Sequence, residues 1–175
     1  MELELVGTRT DLSEVLEAYD ANQRDLFGFV VATTKSHAAA EDVVQETFLR
    51  LTREHRRGRY PENVRPWLFH VAANLVRSGF RQQSVAERFR GRFGFEEAVE
   101  GPEWGALRGE ERDRVRLALR TLPADARAAL MLSAEGFSGD EIARMLGRSE
   151  GSTRTLLWRS RTALRSTLAD ERVVR

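Results

Sequence analysis

Apolar residues recur in this chain at three- and four-residue spacing almost from end to end, a rhythm that buries hydrophobic side chains on helices rather than strands. From Asp11 to Val31 the set is Leu12, Val15, Leu16, Tyr19, Leu26, Phe27, Val30 and Val31, which predicts one long helix or two with a break near Asn22. From Ala38 to Glu54, Val43, Val44, Thr47, Phe48 and Leu51 form a seam, leaving Glu41, Asp42, Gln45, Glu46 and Arg50 on the rest of the circumference. A polar loop over 55–63 ends in Tyr60-Pro61. A third helix is expected from Val64 to about Gln83, with Pro66 in its first turn and Trp67, Leu68, Val71, Ala72, Leu75 and Val76 inward. Further helices are expected over 110–121, 123–134, 138–146 and 149–168, with Gly136 and Gly147 placed for the left-handed residue after a helix end. No strand pattern or internal repeat competes, so the expected class is all-α.

The length, 175 residues, leaves room for one medium domain or two small ones. Residues 91–109 hold five of the 13 glycines, Pro102 and much of an acidic block, the composition of a linker. The expected organisation is therefore a helical domain over 1–90, an acidic flexible linker over 91–109 and a second helical domain over 110–175. A formal charge of +1 conceals a strong pattern. Six arginines face one acid between Arg65 and Arg92, five face one between Arg148 and Arg165, and seven acids face two arginines between Gly94 and Asp113. Lys35 is the single lysine, so the positive charge is nearly all guanidinium, suited to phosphate and to stacking on bases. With no cysteine, disulfide frameworks, zinc ribbons and thiol catalysis are excluded. The first residues, MELELVGTRT, have no signal-peptide pattern, and no apolar run reaches membrane-spanning length. A cytoplasmic protein without membrane insertion is expected.

The strongest local signal runs from Phe137 to Arg165. Ser138 and Glu141 form a capping box, with such caps contributing about 1 kcal/mol. Ile142, Ala143 and Leu146 give that helix an inner face, Gly147 turns the chain, and Thr153, Leu157 and Leu164 of the next helix point back. This is helix-turn-helix geometry, which presents the start of its second helix to the major groove. Ser149, Ser152, Thr153, Arg154 and Thr155 occupy that start. Arg154 can pair with a guanine at about 1–3 kcal/mol of discrimination, while Arg159, Arg161 and Arg165 suit phosphates. A plain helical hairpin with a solvated basic face fits the same residues. The third helix carries Trp67, Phe69, His70, Asn74, Arg77 and Arg81, the mixture that unpaired bases require, although Trp67 and Phe69 also read as core.

Enzymatic patterns fail on context. Gly147-Arg148-Ser149-Glu150-Gly151 matches the hydrolase G-x-S-x-G, but a helix rather than a strand precedes the serine and no histidine follows it. His37, His55 and His70 have no metal spacing, and one lysine at position 35 excludes a phosphate-binding G-x-x-x-x-G-K loop. No catalytic residue, metal or cofactor is expected.

Two stretches together resemble the extracytoplasmic-function (ECF) sigma factors of bacterial RNA polymerase, of the sigma-E-like kind. AEDVVQETFLRL (40–51) followed by RPWLFHVAANLVRSGFR (65–81) is similar to that family's region 2, and 119–165 is similar to its region 4. The resemblance implies a promoter-specificity subunit that docks on core polymerase, at the β′ clamp helices and the β flap, and binds promoter DNA in duplex and single-stranded form. It assigns Asp42, Gln45, Glu46 and Leu49 to polymerase binding. Tyr60, His70, Asn74, Arg77 and Arg81 fall to the melted −10 element, and Ser149, Ser152, Thr153, Arg154, Thr155, Trp158 and Arg159 to the −35 duplex. It also implies an anti-sigma partner. The chain departs from the family pattern at Ala73, Ser78 and Leu156. A dimeric helix-turn-helix repressor or activator and a helical adaptor are the rival readings, the first leaving the Asp42–Leu49 patch unexplained.

Overall fold

The computed structural model describes residues 12–89 and 109–173. In the first half, α1 (Ser13–Thr34) is unbroken. Asn22, where a break was one of two expectations, is buried and stays helical because its Nδ2 donates to the Ala18 carbonyl at 2.8 Å. The helix stops at Lys35, whose φ of 63° is left-handed. Ser36 then caps α2 (His37–Arg56), its hydroxyl accepting from the Ala39 N–H at 3.2 Å. Ala40, Val44, Thr47, Phe48 and Leu51 bury the face of α2 set against α1, so Val43, which the sequence placed in that seam, is only partly buried. The third helix, α3 (Val64–Phe89), runs further than its apolar pattern.

The second half holds α4 (Gly109–Thr121), α5 (Ala124–Ala134), α6 (Gly139–Leu146) and α7 (Glu150–Val173). Pro123 precedes α5 as its N-cap rather than its first residue. The capping box is present: Ser138 accepts from the Glu141 N–H at 3.3 Å, and the Glu141 carboxylate accepts from the Ser138 N–H at 2.8 Å. Those bonds to Ser138 hold the Glu141 carboxyl below its ordinary pKa. Gly147, with φ 61°, closes α6 in the left-handed conformation that glycine adopts without steric cost.

Residues 126–132 of α5 are buried without interruption, although a surface helix should keep a polar face. The cause is double packing, since α5 lies on α6 and α7 on one side and on α1 on the other. Arg127 enters that second contact and is buried, donating to the carbonyls of Leu122 and Thr33, the latter at 2.7 Å. Lys35 Nζ donates to the Arg120 carbonyl at 2.8 Å. Two helical units are present as expected. They do not stand apart: one buried cluster runs from Val15 and Phe29 through Phe69 to Leu132 and Ile142. The acidic segment expected to join them, 91–109, lies outside the described residues apart from Gly109, the first of α4.

Candidate nucleic-acid and partner interfaces

On α2, Asp42, Gln45, Glu46 and Leu49 fall at i, i+3, i+4 and i+7, a spacing that puts them on one stripe. Asp42, Gln45 and Leu49 are exposed, Leu49 at 44%, while Glu46 is half-buried. Glu46 is engaged within its own helix, accepting from Arg50 at 2.8 Å and Arg53 at 3.5 Å. The Arg50 hydrogen bond is the main cause that holds its carboxyl below the usual range. Beside this stripe α1 adds two apolar residues that the sequence counted as inward: Leu16 is 63% exposed and Tyr19 38%, with the Tyr19 ring edge-on to Phe48 at 4.9 Å. Three exposed large apolar residues among acids and an amide have the make-up of an interface patch.

The residues assigned to an unpaired strand are divided by the structure. His70, Asn74, Arg77 and Arg81 follow one another along α3 at three- and four-residue steps, and His70 is exposed. Asn74 and Arg77 are already partnered. Arg77 Nη2 donates to the Asn74 Oδ1 at 2.7 Å, and Nη1 donates to the Leu146 carbonyl at 2.6 Å, across the junction between the two halves. Tyr60 is held elsewhere, its hydroxyl donating to the Glu14 carbonyl at 2.9 Å and its ring edge-on to His55 at 5.5 Å. Burial first, then Glu14 and Glu17, raises the Tyr60 pKa above its ordinary value. The side chain of Arg81 lies outside the described residues.

In the helix-turn-helix, Ile142, Ala143 and Met145 are buried, so Met145 takes the innermost place the sequence gave to Leu146, which is only partly buried. Ser149 caps α7, accepting from the Ser152 N–H at 3.3 Å. An Arg148–Asp125 ion pair at 2.9 Å ties the turn back to α5. From that fixed start, Arg154, Thr155 and Trp158 share the outward face of α7, with Trp158 67% exposed, and Arg159 is exposed beside them. Arg161 donates to the Ser133 hydroxyl at 2.8 Å. Thr153 corrects the expectation: it is fully buried, one helical turn before Leu157 on the inner face, and cannot present its side chain to a base edge. Among the described residues there is no group of three or more His, Asp or Glu side chains that could hold a metal ion.

Sequence reasoning missed four residues at the junction. Arg65 pairs with Asp25 at 2.9 Å and Glu135 at 2.5 Å and lies 5.0 Å over the Phe69 ring. Phe69 is fully buried between Phe29 and Phe137, at 5.6 and 5.0 Å. Arg127 and Glu135 complete the set. The signal was a second apolar row on α3, Phe69, Ala73 and Val76, which a helix lying on a single neighbour would not need.

Comparison with known proteins follows the same division of the chain. Residues 18–85 match the family model of sigma-70 region 2, and residues 112–164 that of sigma-70 region 4. The chain is 34% identical to the RNA polymerase sigma factor CarQ of Myxococcus xanthus, over 82% of each chain. It is 35% identical to the ECF RNA polymerase sigma factor SigL of Mycobacterium tuberculosis, over 90% of each. In structure it is similar to the sigma factor RpoE of Bartonella quintana, solved in complex with the anti-sigma factor NepR, with a TM-score of 0.71, 27% identity, and coverage of 89% of this chain and 94% of that one.

Proposed function

Because the chain belongs to the ECF sigma factors, which bind core RNA polymerase and direct it to promoters, we propose that its three exposed surfaces divide that work. The region 2 half, 1–90, docks on the β′ clamp helices through Asp42, Gln45, Glu46 and Leu49, with Leu16 and Tyr19 extending the patch. The α3 residues His70, Asn74, Arg77 and Arg81 take the melted −10 strand, with Tyr60 supporting the loop before them. The region 4 half, 110–175, meets the β flap and reads the −35 duplex through Ser149, Ser152, Arg154, Thr155, Trp158 and Arg159. The segment 91–109 joins the two. The factor works in the cytoplasm and performs no bond chemistry. Melting costs a few kcal/mol for each extruded base and is offset by contacts made only with the separated strand.

One observation carries the reading: the outward face of α7 presents Arg154, Thr155 and Trp158 from a start fixed by the Ser149 cap and the Arg148–Asp125 pair. A side chain that reads a base edge must be held in place before it meets one. The RpoE likeness also supports control by an anti-sigma factor.

Reconstitution with core polymerase free of other sigma factors, on genomic DNA with start sites mapped by sequencing, tests this. Transcripts from a discrete promoter set are expected. Arg154→Ala should lower them about tenfold or more, from the loss of about 1–3 kcal/mol at a guanine. Failure to associate with core polymerase would overturn the reading, and unchanged transcription by both Arg154→Ala and Arg159→Ala would overturn the −35 assignment.

A further inference from the structure

Arg65, Phe69, Ala73 and Arg77 fall at four-residue spacing on α3 and form one stripe. Each long member is spent on the region 4 half. Arg65 meets Glu135 at 2.5 Å, Phe69 meets Phe137 at 5.0 Å, and Arg77 meets the Leu146 carbonyl at 2.6 Å. Ala73, buried between them, is short enough to let α6 approach. Gly147 answers from the other side, since a Cβ there would stand 2.3 Å from Arg77 Nη1. The guanidinium of Arg77 is therefore seated in a fitted contact, and through it Asn74 is held as well.

The geometry points to a self-docked, autoinhibited state: region 4 caps the strand-reading face of region 2, and the chain takes up unpaired DNA only after α6 lifts from α3. This rests on the assignment of Asn74 and Arg77 proposed above. The contact has the composition of a reversible one. Arg77 Nε and Arg127 Nε are buried and have no acceptor, and water would satisfy both on opening. Arg127 meets backbone carbonyls and no carboxylate among the described residues, so the junction carries a desolvated cation without a counter-charge. The structural likeness to RpoE covers both halves of this chain, and that protein was solved in complex with an anti-sigma factor. A ligand that binds only the open form gains affinity in proportion to how far the closed form is depopulated.

The chain has no cysteine, so Asp20→Cys and Ser166→Cys, both at exposed positions, place a dye pair on the full protein. Energy transfer should be high in that protein and fall when Ala73→Gln inserts a neutral wedge, or when Phe137→Asn removes the ring from the other half. In unlabelled protein each variant should bind a 15-nucleotide single-stranded oligothymidine about five- to tenfold more tightly, as expected for an open form populated at about 10–20%. Adding Arg77→Ala to Ala73→Gln should abolish the gain. Energy transfer unchanged in both variants, or reduced without tighter oligonucleotide binding, would overturn the inference while leaving the proposed function intact. Full promoter-dependent transcription by Arg77→Ala with core polymerase would overturn the strand-reading assignment and this inference with it.

Discussion

The two halves bury their side chains in different ways. In region 2 the interior is built from large residues, with Leu26, Phe29, Val30, Leu51, Leu68 and Phe69 fully buried, and α2 keeps a polar outer face. In region 4 much of the interior is alanine, at 118, 126, 128, 129 and 143, and α5 is buried around its whole circumference. Small residues let helices approach closely but remove little apolar area from water, at about 25 cal/mol per Å². Region 4 therefore gains part of its burial from α1 and α3 of the other half. The lesson is that its amphipathic design is complete only in the docked state, whereas α1 and α2 supply region 2 with a core of its own.

The largest expected effect is at the shared ring. Phe69→Ala should lower the stability of the whole chain by about 3–5 kcal/mol, in a single unfolding transition followed by urea, because a fully buried phenylalanine leaves a cavity. Two transitions, with less than half that loss, would show the halves parting before either unfolds. Arg127→Ala comes next at about 1–3 kcal/mol, since the buried Leu122 and Thr33 carbonyls lose their donor while an unpaired cation leaves the interior. Ser138→Ala should cost about 1 kcal/mol by removing the α6 cap. If the chain unfolds as one unit, that loss will be read equally by a probe in region 2.

The smallest effect is one of pH. Burial, then the neighbouring Asp25, raises the Glu135 carboxyl above its ordinary range, against the opposing pull of Arg65. The folded chain thus binds this proton more tightly than the unfolded chain does. Its stability falls as pH rises from the ordinary carboxylate value of about 4.3 through the raised one, and returns on acidification. Glu135→Gln should flatten that slope in urea midpoints measured across the carboxylate range. An identical slope in the variant would remove Glu135 from the account.

What the sequence made legible was governed by local rules. The α6 start followed from Ser138 and Glu141, its end from Gly147, and the outward residues of α2 from their spacing around the Val44, Phe48 and Leu51 seam. Where it misled, a distant partner decided. Asn22 read as a break because its side chain competes with the backbone, yet here it bonds one turn back and also accepts from Arg65 at 3.3 Å. Thr153 was placed on both faces of α7, and packing against the first helix of the motif settled it inward. Arg77 and Asn74 were read as surface ligands for DNA, and no periodicity within α3 could show that Leu146, far along the chain, would occupy Arg77. The unbroken burial of α5 was present in its composition, ADARAALMLSA, but acquires meaning only with a second packing partner in place.

The central claim, that two sigma regions rest against each other and must separate to work, is tested most directly by one distance. With dyes at the substituted positions 20 and 166, energy transfer is measured in the free full-length protein and again after assembly with core polymerase. The account predicts a short, narrow distribution when free and a clearly longer one on the enzyme. The same short distance in a complex that initiates from its promoter would contradict it.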